Sequence, residues 1–438
     1  MERTAIQEYL DFLNNSPTPF HAILESTKIL EYFGFQRIGL QNFKPSPGRF
    51  YIKLNKTFLI AFTIPNGYST NSNSEDNREN QSNGEFPLKI VATHCDSPVL
   101  KIKQNGFIDS TNTVRLQPYG GGLWHTWFDR PLGIAGQIIT KTLKSKIITL
   151  SEPLVVIPSL AIHLNNADVY KNGFTYNKED HLNAVCGSYN SSIKTENKDV
   201  KKTTETQSPI NVLKNMIDPE FDSLLSHDLS IFDISGASLG GSNKDLIFSA
   251  RQDNLLSTFF AIKGLIADDQ MNSKSINVVA VFDHEEIGSQ TITGARSSLF
   301  ANFISKVNFN LNKSLIVSCD VAHATNPNYL NKYESKNSPL LGLGLVVKYS
   351  TKYATNNYTA SVIKYLCEKN QDFILRNDLI GGSTIGPMLV SKTGIQGVDV
   401  GVPIMAMHSV KELSSVHDCL VFLEFVQEFF KNNSWCSN

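Results

Sequence analysis

Apolar and polar positions follow two rhythms along this chain. Ile6, Tyr9, Leu10 and Leu13 recur at helical spacing, which predicts an opening amphipathic helix that stops at Ser16-Pro17-Thr18-Pro19. A second helix runs to about Phe33, with Gly34 as its stop signal. Residues 86–92, largely apolar, read as a buried strand. From about 99 to 246 the texture changes. Runs rich in β-branched residues at 136–140, 146–150 and 154–157 are separated by turn residues, and Gly120-Gly121-Gly122, Trp124 and Trp127 precede them. This pattern predicts a β-rich unit inserted into an α/β protein. After residue 246, strand-like and helix-like runs alternate at 246–250, 255–265, 276–282, 315–319, 358–368, 401–407 and 416–430, as in an α/β sheet with helices on its faces.

Two segments break this patterning. Residues 69–84 are rich in Ser, Asn and Glu, and residues 188–208 in Ser, Thr, Lys and Glu. Neither has enough apolar surface to offset its ordering entropy, so both are expected to be mobile surface insertions.

Composition narrows the class. A chain of 438 residues has room for two or three domains, or for one large domain with an insertion. A net charge of −1 shows no attraction to nucleic acid or membrane, and no apolar run is long enough to span a bilayer. The N-terminus lacks a basic stretch followed by an apolar core, so no secretory signal is expected. The six cysteines are scattered, without a C-x-x-C pair, which fits reduced thiols and a cytoplasmic protein. Cys95 and Cys319 are expected to be packing residues.

The chemistry is concentrated at Asp283-His284-Glu285-Glu286, directly after the apolar run 276–282. Adjacent carboxylates at the end of a buried strand repel one another and resist desolvation, so a cation should compensate them. Ligands in open α/β sheets gather beyond the carboxyl ends of strands. Five predicted strand ends supply metal-binding types: His94 with Asp96, Asp253, Glu285 with Glu286, Asp320, and His408. Mixed imidazole and carboxylate ligands suit Zn²⁺, or Mn²⁺ and Co²⁺. Two histidines and three carboxylates suffice for two ions if one carboxylate bridges. One remaining glutamate would then move protons.

These motifs resemble the aspartyl aminopeptidase family of metallopeptidases. The resemblance is carried by Asn15-Ser16-Pro17-Thr18-Pro19-Phe20-His21-Ala22, Thr93-His94-Cys95-Asp96-Ser97-Pro98, Tyr119-Gly120-Gly121-Gly122-Leu123-Trp124 and Asp129-Arg130. It continues through residues 157–164, Arg251-Gln252-Asp253-Asn254, the 283–289 motif, Asp320-Val321-Ala322-His323-Ala324, residues 381–387 and Ala406-Met407-His408-Ser409. The likeness implies that His94 and Asp320 bind one ion and Glu286 and His408 the other. Asp253 would bridge, Glu285 would be the general base, and Asp96 would orient His94. It also implies an exopeptidase that removes N-terminal Asp or Glu from peptides. Lys348 would receive the acidic side chain, with Tyr353 as its polar neighbour and Lys352 as the second choice. Glu285, Asp320 and His323 would also face the substrate, and His163 would reach the active site of a neighbouring subunit. His284 is expected to be structural, and Asp283 has no assigned role.

The implied architecture is a metallopeptidase α/β/α sandwich domain (1–98 and 247–438) with an inserted β-rich oligomerisation domain (99–246). The implied assembly is a homododecamer built from dimers. Two departures stand out: Asn326 and Ser159 occupy positions where the family commonly has histidine. Two alternatives remain at this stage. One is a related two-metal enzyme of different specificity, such as an aminopeptidase for neutral N-termini or a deacylase. The other is a catalytically silent structural or cargo relative.

Overall fold

The run Ile276–Phe282 forms a strand whose residues divide by parity. Val279 and Val281 enter one hydrophobic core, while Val278, Ala280 and Phe282 enter a second. A strand turns successive side chains to opposite faces, so a run apolar at nearly every position must be covered on both. The computed structural model describes residues 2–69, 85–188, 208–268 and 273–437. The segments 69–84 and 188–208 read as insertions lie almost wholly outside the described residues.

The chain divides into two compact units. The first comprises residues 1–97, 237–407 and 411–438. Its main sheet has nine strands, in the spatial order Gln36–Arg37, Gly48–Leu54, Phe58–Ile64, Ile276–Phe282, Pro87–His94, Asn310–Cys319, Gln396–Gly401, Leu345–Tyr349 and Asn370–Ile374. The four strands from Ile276–Phe282 to Gln396–Gly401 run parallel. Helices Glu2–Asn15, Pro19–Tyr32, Gln252–Ile266, Asn357–Leu366 and Val416–Lys431 supply residues to one face, and Leu299–Ile304 and Gly386–Thr393 supply the other. This is the α/β/α sandwich expected.

A five-stranded sheet accompanies it, in the order Ser238–Gly240, Leu246–Ser249, Glu412–Ser415, Pro403–Met405 and Ala322–His323. The apolar run 401–407 is therefore not one strand. It splits between Gln396–Gly401 of the large sheet and Pro403–Met405 of the small one. Likewise 146–150 and 154–157 are not separate: Ser145–Val155 is one continuous strand.

The second unit comprises residues 98–236 and 408–410. It is an antiparallel six-stranded sheet with a core of its own, including Leu100, Val114, Trp124, Ile134 and Ile231. Gly122 shows why its glycine cluster is needed: a Cβ there would lie 2.5 Å from the Trp124 ring. Among the described residues no helix is long and apolar enough to cross a membrane.

Lys89 is an unexpected feature of the central strand Pro87–His94. It is fully buried, and its Nζ donates to the Phe430 and Asn432 carbonyls at 3.1 and 2.8 Å, where the helix Val416–Lys431 ends. The rings of Phe429 and Trp435 lie 5.9 and 5.7 Å from it. Burial lowers its pKa from 10.5 to about 8, against the opposing pull of Cys436, Asp268 and Glu428. Between these two values the unfolded chain binds the proton and the folded chain releases it, so stability rises with pH across that window. The gain is on the order of 3 kcal/mol. Denaturant titrations at pH 7.5 and 10 should show this rise in the native chain, and a Lys89→Met variant should lack it.

Candidate metal centre

Three adjacent parallel strands place the first group of side chains. His94 is the last residue of Pro87–His94, Asp320 follows Asn310–Cys319, and Glu285 and Glu286 follow Ile276–Phe282. The turn after Phe282 is not extended. His284 is left-handed, with φ 61°, and a short 3₁₀ turn covers Glu285–Ile287. Asp283, which had no role on sequence grounds, shapes this turn: its carboxylate accepts the His284 N–H at 2.8 Å. The His284 ring meets the Thr291 and Thr293 hydroxyls at 2.9 and 3.2 Å.

Asp253 arrives from elsewhere. It lies at the start of the helix Gln252–Ile266, after a strand of the small sheet. Asp253 and His408 thus follow strands, as expected, but these are Leu246–Ser249 and Pro403–Met405 of the small sheet. The helix start is locked in place on several sides. Glu412 accepts the Asp253 N–H at 3.1 Å, Ser97 donates to the Asp253 carbonyl, and Asn254 donates to the Cys319 carbonyl at 2.7 Å. Arg251 donates to the Ser16 and Leu13 carbonyls, tying the motif to the end of the first helix. The Glu412 contact had no sequence signal, because its partner is 159 residues away.

The result is a buried cluster. His94 Nε2 lies 3.4 Å from Asp253 Oδ1 and 3.5 Å from Asp320 Oδ1. Ligands at about 2.0–2.1 Å from a tetrahedral ion stand roughly 3.3 Å from one another. His94 Nε2 therefore stands from each of these two oxygens at the spacing of ligands that share a cation. Ligand atoms of His94, Asp253 and Glu286 also lie within 4.8 Å of one another. The donor set, one imidazole and several carboxylates, fits a divalent ion of the zinc type.

Asp96 does more than stand behind His94. Its Oδ1 is 3.4 Å from His94 Nδ1, and its two oxygens accept the N–H groups of Glu285 and Glu286 at 3.0 and 3.2 Å. Asp96 thereby holds the imidazole, whose Nδ1 is 3.1 Å from its backbone carbonyl, and its carboxylate fixes the backbone of the paired glutamates. The electrostatics show what the cluster needs. Burial opposes protonation of His94, yet Asp253, Asp320, Asp96 and Glu285 together hold its pKa well above the ordinary value. Burial pushes the Glu285 carboxyl up to about 8; Asp320, Asp96 and Asp253 push the same way, and His94 opposes them. Side chains alone leave an excess of negative charge that a cation would balance.

Lys348 belongs to this cluster. It is 3% exposed, with Nζ 3.7 Å from Asp320 Oδ2 and 5.8 Å from the Tyr353 ring. Burial works against its charge, but Asp320, Tyr353, Asp399 and Asp253 outweigh it and raise its pKa. Lys352 is exposed and donates to the Gly381 carbonyl. His323 is exposed on the strand Ala322–His323, with its ring 5.7 Å from Phe373. Asn326 caps a short 3₁₀ helix by accepting the Asn328 N–H at 3.0 Å.

His408 and His163 belong to the second unit. His408 has φ 66°, and its Nδ1 donates to the Gly121 carbonyl at 2.8 Å. That bond fixes the tautomer and leaves Nε2 as the acceptor nitrogen, as for ligating histidines. His163 begins the helix Ile162–Asn172 and is exposed, not a core histidine. Ser159 N donates to Asp129 Oδ1 at 2.8 Å.

An α/β/α sandwich that gathers an imidazole and carboxylates at three adjacent strand ends defines a candidate metallohydrolase. The profile of the aminopeptidase I zinc metalloprotease family, M18, matches residues 12–430, and the chain belongs to this family. It is 33% identical to a probable aspartyl aminopeptidase of Ricinus communis, over 98% of this chain and 95% of that protein. Among solved structures, the chain in the complex of Ape4 and Nbr1 matches with a TM-score of 0.84 at 30% identity, covering 98% of this chain and 86% of that one. The Saccharomyces cerevisiae mApe1 dodecamer matches with a TM-score of 0.79 at 25% identity, covering 100% and 98%. The chain is a metal-dependent aminopeptidase.

Proposed function

We propose that this enzyme is an aspartyl aminopeptidase, which removes N-terminal Asp or Glu from peptides. The observation that carries this reading is the burial of Lys348 beside Asp320. A lysine is seldom buried without a partner, and one held at the edge of a carboxylate cluster is placed to receive a further carboxylate. Tyr353 forms the neighbouring wall. The names of the most similar relatives agree.

His94 and Asp320 would hold one ion, Glu286 and His408 a second, and Asp253 would bridge them. Two Zn²⁺ ions are the proposed occupants, with Mn²⁺ or Co²⁺ as substitutes. Bound there, they would polarise the scissile carbonyl and acidify the attacking water. Glu285 takes the proton from that water and returns it to the leaving amine. Asp96 holds Glu285 at the right place through its backbone N–H. His323 faces the substrate side. The second unit is proposed as the oligomerisation domain, giving a homododecamer like the yeast mApe1 assembly, with His163 reaching a neighbour's site. Six free cysteines, five of them buried, fit a cytoplasmic enzyme.

A panel of peptides with N-terminal Asp, Glu, Leu or Lys, together with N-acyl dipeptides, assayed with Zn²⁺, Mn²⁺ and Co²⁺, tests the reading. Hydrolysis only after Asp and Glu is expected. Preferred release of Leu, or cleavage of N-acyl substrates, would refute it. Lys348→Met should lower kcat/KM for N-terminal Asp about a hundredfold, the size of a lost buried charged contact.

A further inference from the structure

Asp399 lies within the strand Gln396–Gly401, fully buried, and none of the steps above uses it. Its neighbours Val398 and Val400 enter the core on one face, so Asp399 projects from the other. Val347 enters that same core, which turns Lys348 to the face of Asp399. The two strands are antiparallel, with Val346 opposite Gly401 and Val347 opposite Val400. The next step of this register sets Lys348 opposite Asp399, where directly paired side chains have Cβ atoms about 5 Å apart. On the other side Asp399 pairs with Ser318, two residues before Asp320.

The carboxylate ties two loops together at this point. Thr384 Oγ1 donates to Oδ1 at 2.5 Å, and the Ala354 N–H donates to Oδ2 at 2.6 Å. The Asp399 N–H in turn donates to Thr355 Oγ1 at 3.0 Å. Gly386 closes over the group, since a Cβ there would lie 2.6 Å from Oδ1 and 2.7 Å from Oδ2. Burial raises the carboxyl's pKa, and donors from Thr384, Ala354 and Ser318, with the charge of Lys348, oppose that rise. The Gly381–Pro387 motif and the turn carrying Tyr353 thus meet on one buried acid beside Lys348.

We propose that Asp399 sets the selectivity of the site, holding Lys348 and the Tyr353–Ala354 turn in the arrangement that receives an acidic side chain. This rests on the reading of Lys348 given above. Asp399 itself touches no substrate: it acts through the lysine and the turn.

The test uses the full chain loaded with Zn²⁺, with aspartyl and alanyl 4-nitroanilide as probes, and compares Asp399→Asn, Thr384→Val, Thr384→Ser and Lys348→Met. For Asp399→Asn and Thr384→Val, KM for the aspartyl probe should rise about tenfold with a smaller change in kcat, the effect of one lost charge-assisted hydrogen bond. The preference for Asp over Ala should fall with it, and Thr384→Ser should restore it. A purely structural clamp would instead lower the active fraction and reduce kcat equally for both probes, and that result overturns the proposal. If Asp399→Asn fails to fold, the two Thr384 variants decide on the same criteria. An unchanged preference in Lys348→Met refutes the reading of Lys348 itself. A lost preference in Lys348→Met with an unchanged one in Asp399→Asn and Thr384→Val refutes only the part given to Asp399.

Discussion

Glu285→Gln should lower kcat by about 10³-fold, within the range supplied by positioned general acids and bases, and leave bound metal unchanged. The expectation follows from how the paired glutamates are held. Asp96 anchors both through their backbone N–H groups, so an amide at position 285 leaves the turn intact. Glu286, not Glu285, shares the close group with His94 and Asp253. Glutamine matches glutamate in shape and cannot accept a proton at neutral pH. Steady-state kinetics with metal analysis by mass spectrometry on the same sample check it. Turnover near that of the native enzyme would remove Glu285 from the mechanism, and loss of metal would make it a ligand.

Asp253→Asn should release metal, with affinity falling by more than about a hundredfold, since even the groups behind a ligand contribute that much. Activity should fall with occupancy and recover partly in excess Zn²⁺. The local fold should survive, because the helix start is held through backbone groups: Glu412 takes the Asp253 N–H, and Ser97 donates to its carbonyl. The native side chain contributes charge, 3.4 Å from His94 Nε2. An amide oxygen keeps the shape and loses the charge. Competition with a fluorescent chelator measures the affinity, and circular dichroism confirms the fold. Native metal affinity in this variant would exclude Asp253 as the bridging ligand.

The two variants separate proton transfer from metal binding, a division of labour that the adjacent glutamates already suggested in the sequence. The paired glutamates were visible because they follow the largely apolar run 276–282. His94 and Asp320 were visible for the same reason, and both lie at carboxyl ends of adjacent parallel strands. Asp253 was found by residue type after the strand expected at 246–250, but that this strand pairs with Glu412–Ser415 in a separate small sheet leaves no local mark. Glu412 was missed on the same grounds. Asp283 and Asp399 look like ordinary acidic residues in sequence. Asp283 acts by holding the N–H of the next residue in a turn, and Asp399 by gathering donors from distant loops.

Lys348 shows the limit most clearly. As a residue type, a lysine is most often solvated, and only likeness to a family raised it to notice. In the fold, a strand on the central sheet carries it inward beside Asp320, and carboxylates outweigh the penalty of burial.

By itself, the sequence determined what periodicity and residue type can carry. These are the sandwich of parallel strands and helices, the β-rich insert, and the residue types of a metal site at the strand ends. Such features are local, because alternation and strand termination are written in consecutive residues. The tertiary structure alone decided the 3.4–3.5 Å spacing around His94, the double hold of Asp96 on the glutamate turn, and the burial of Lys348 beside Asp320. Each joins residues tens to hundreds of positions apart, and only the packing of the sheet brings their charges within reach of one another.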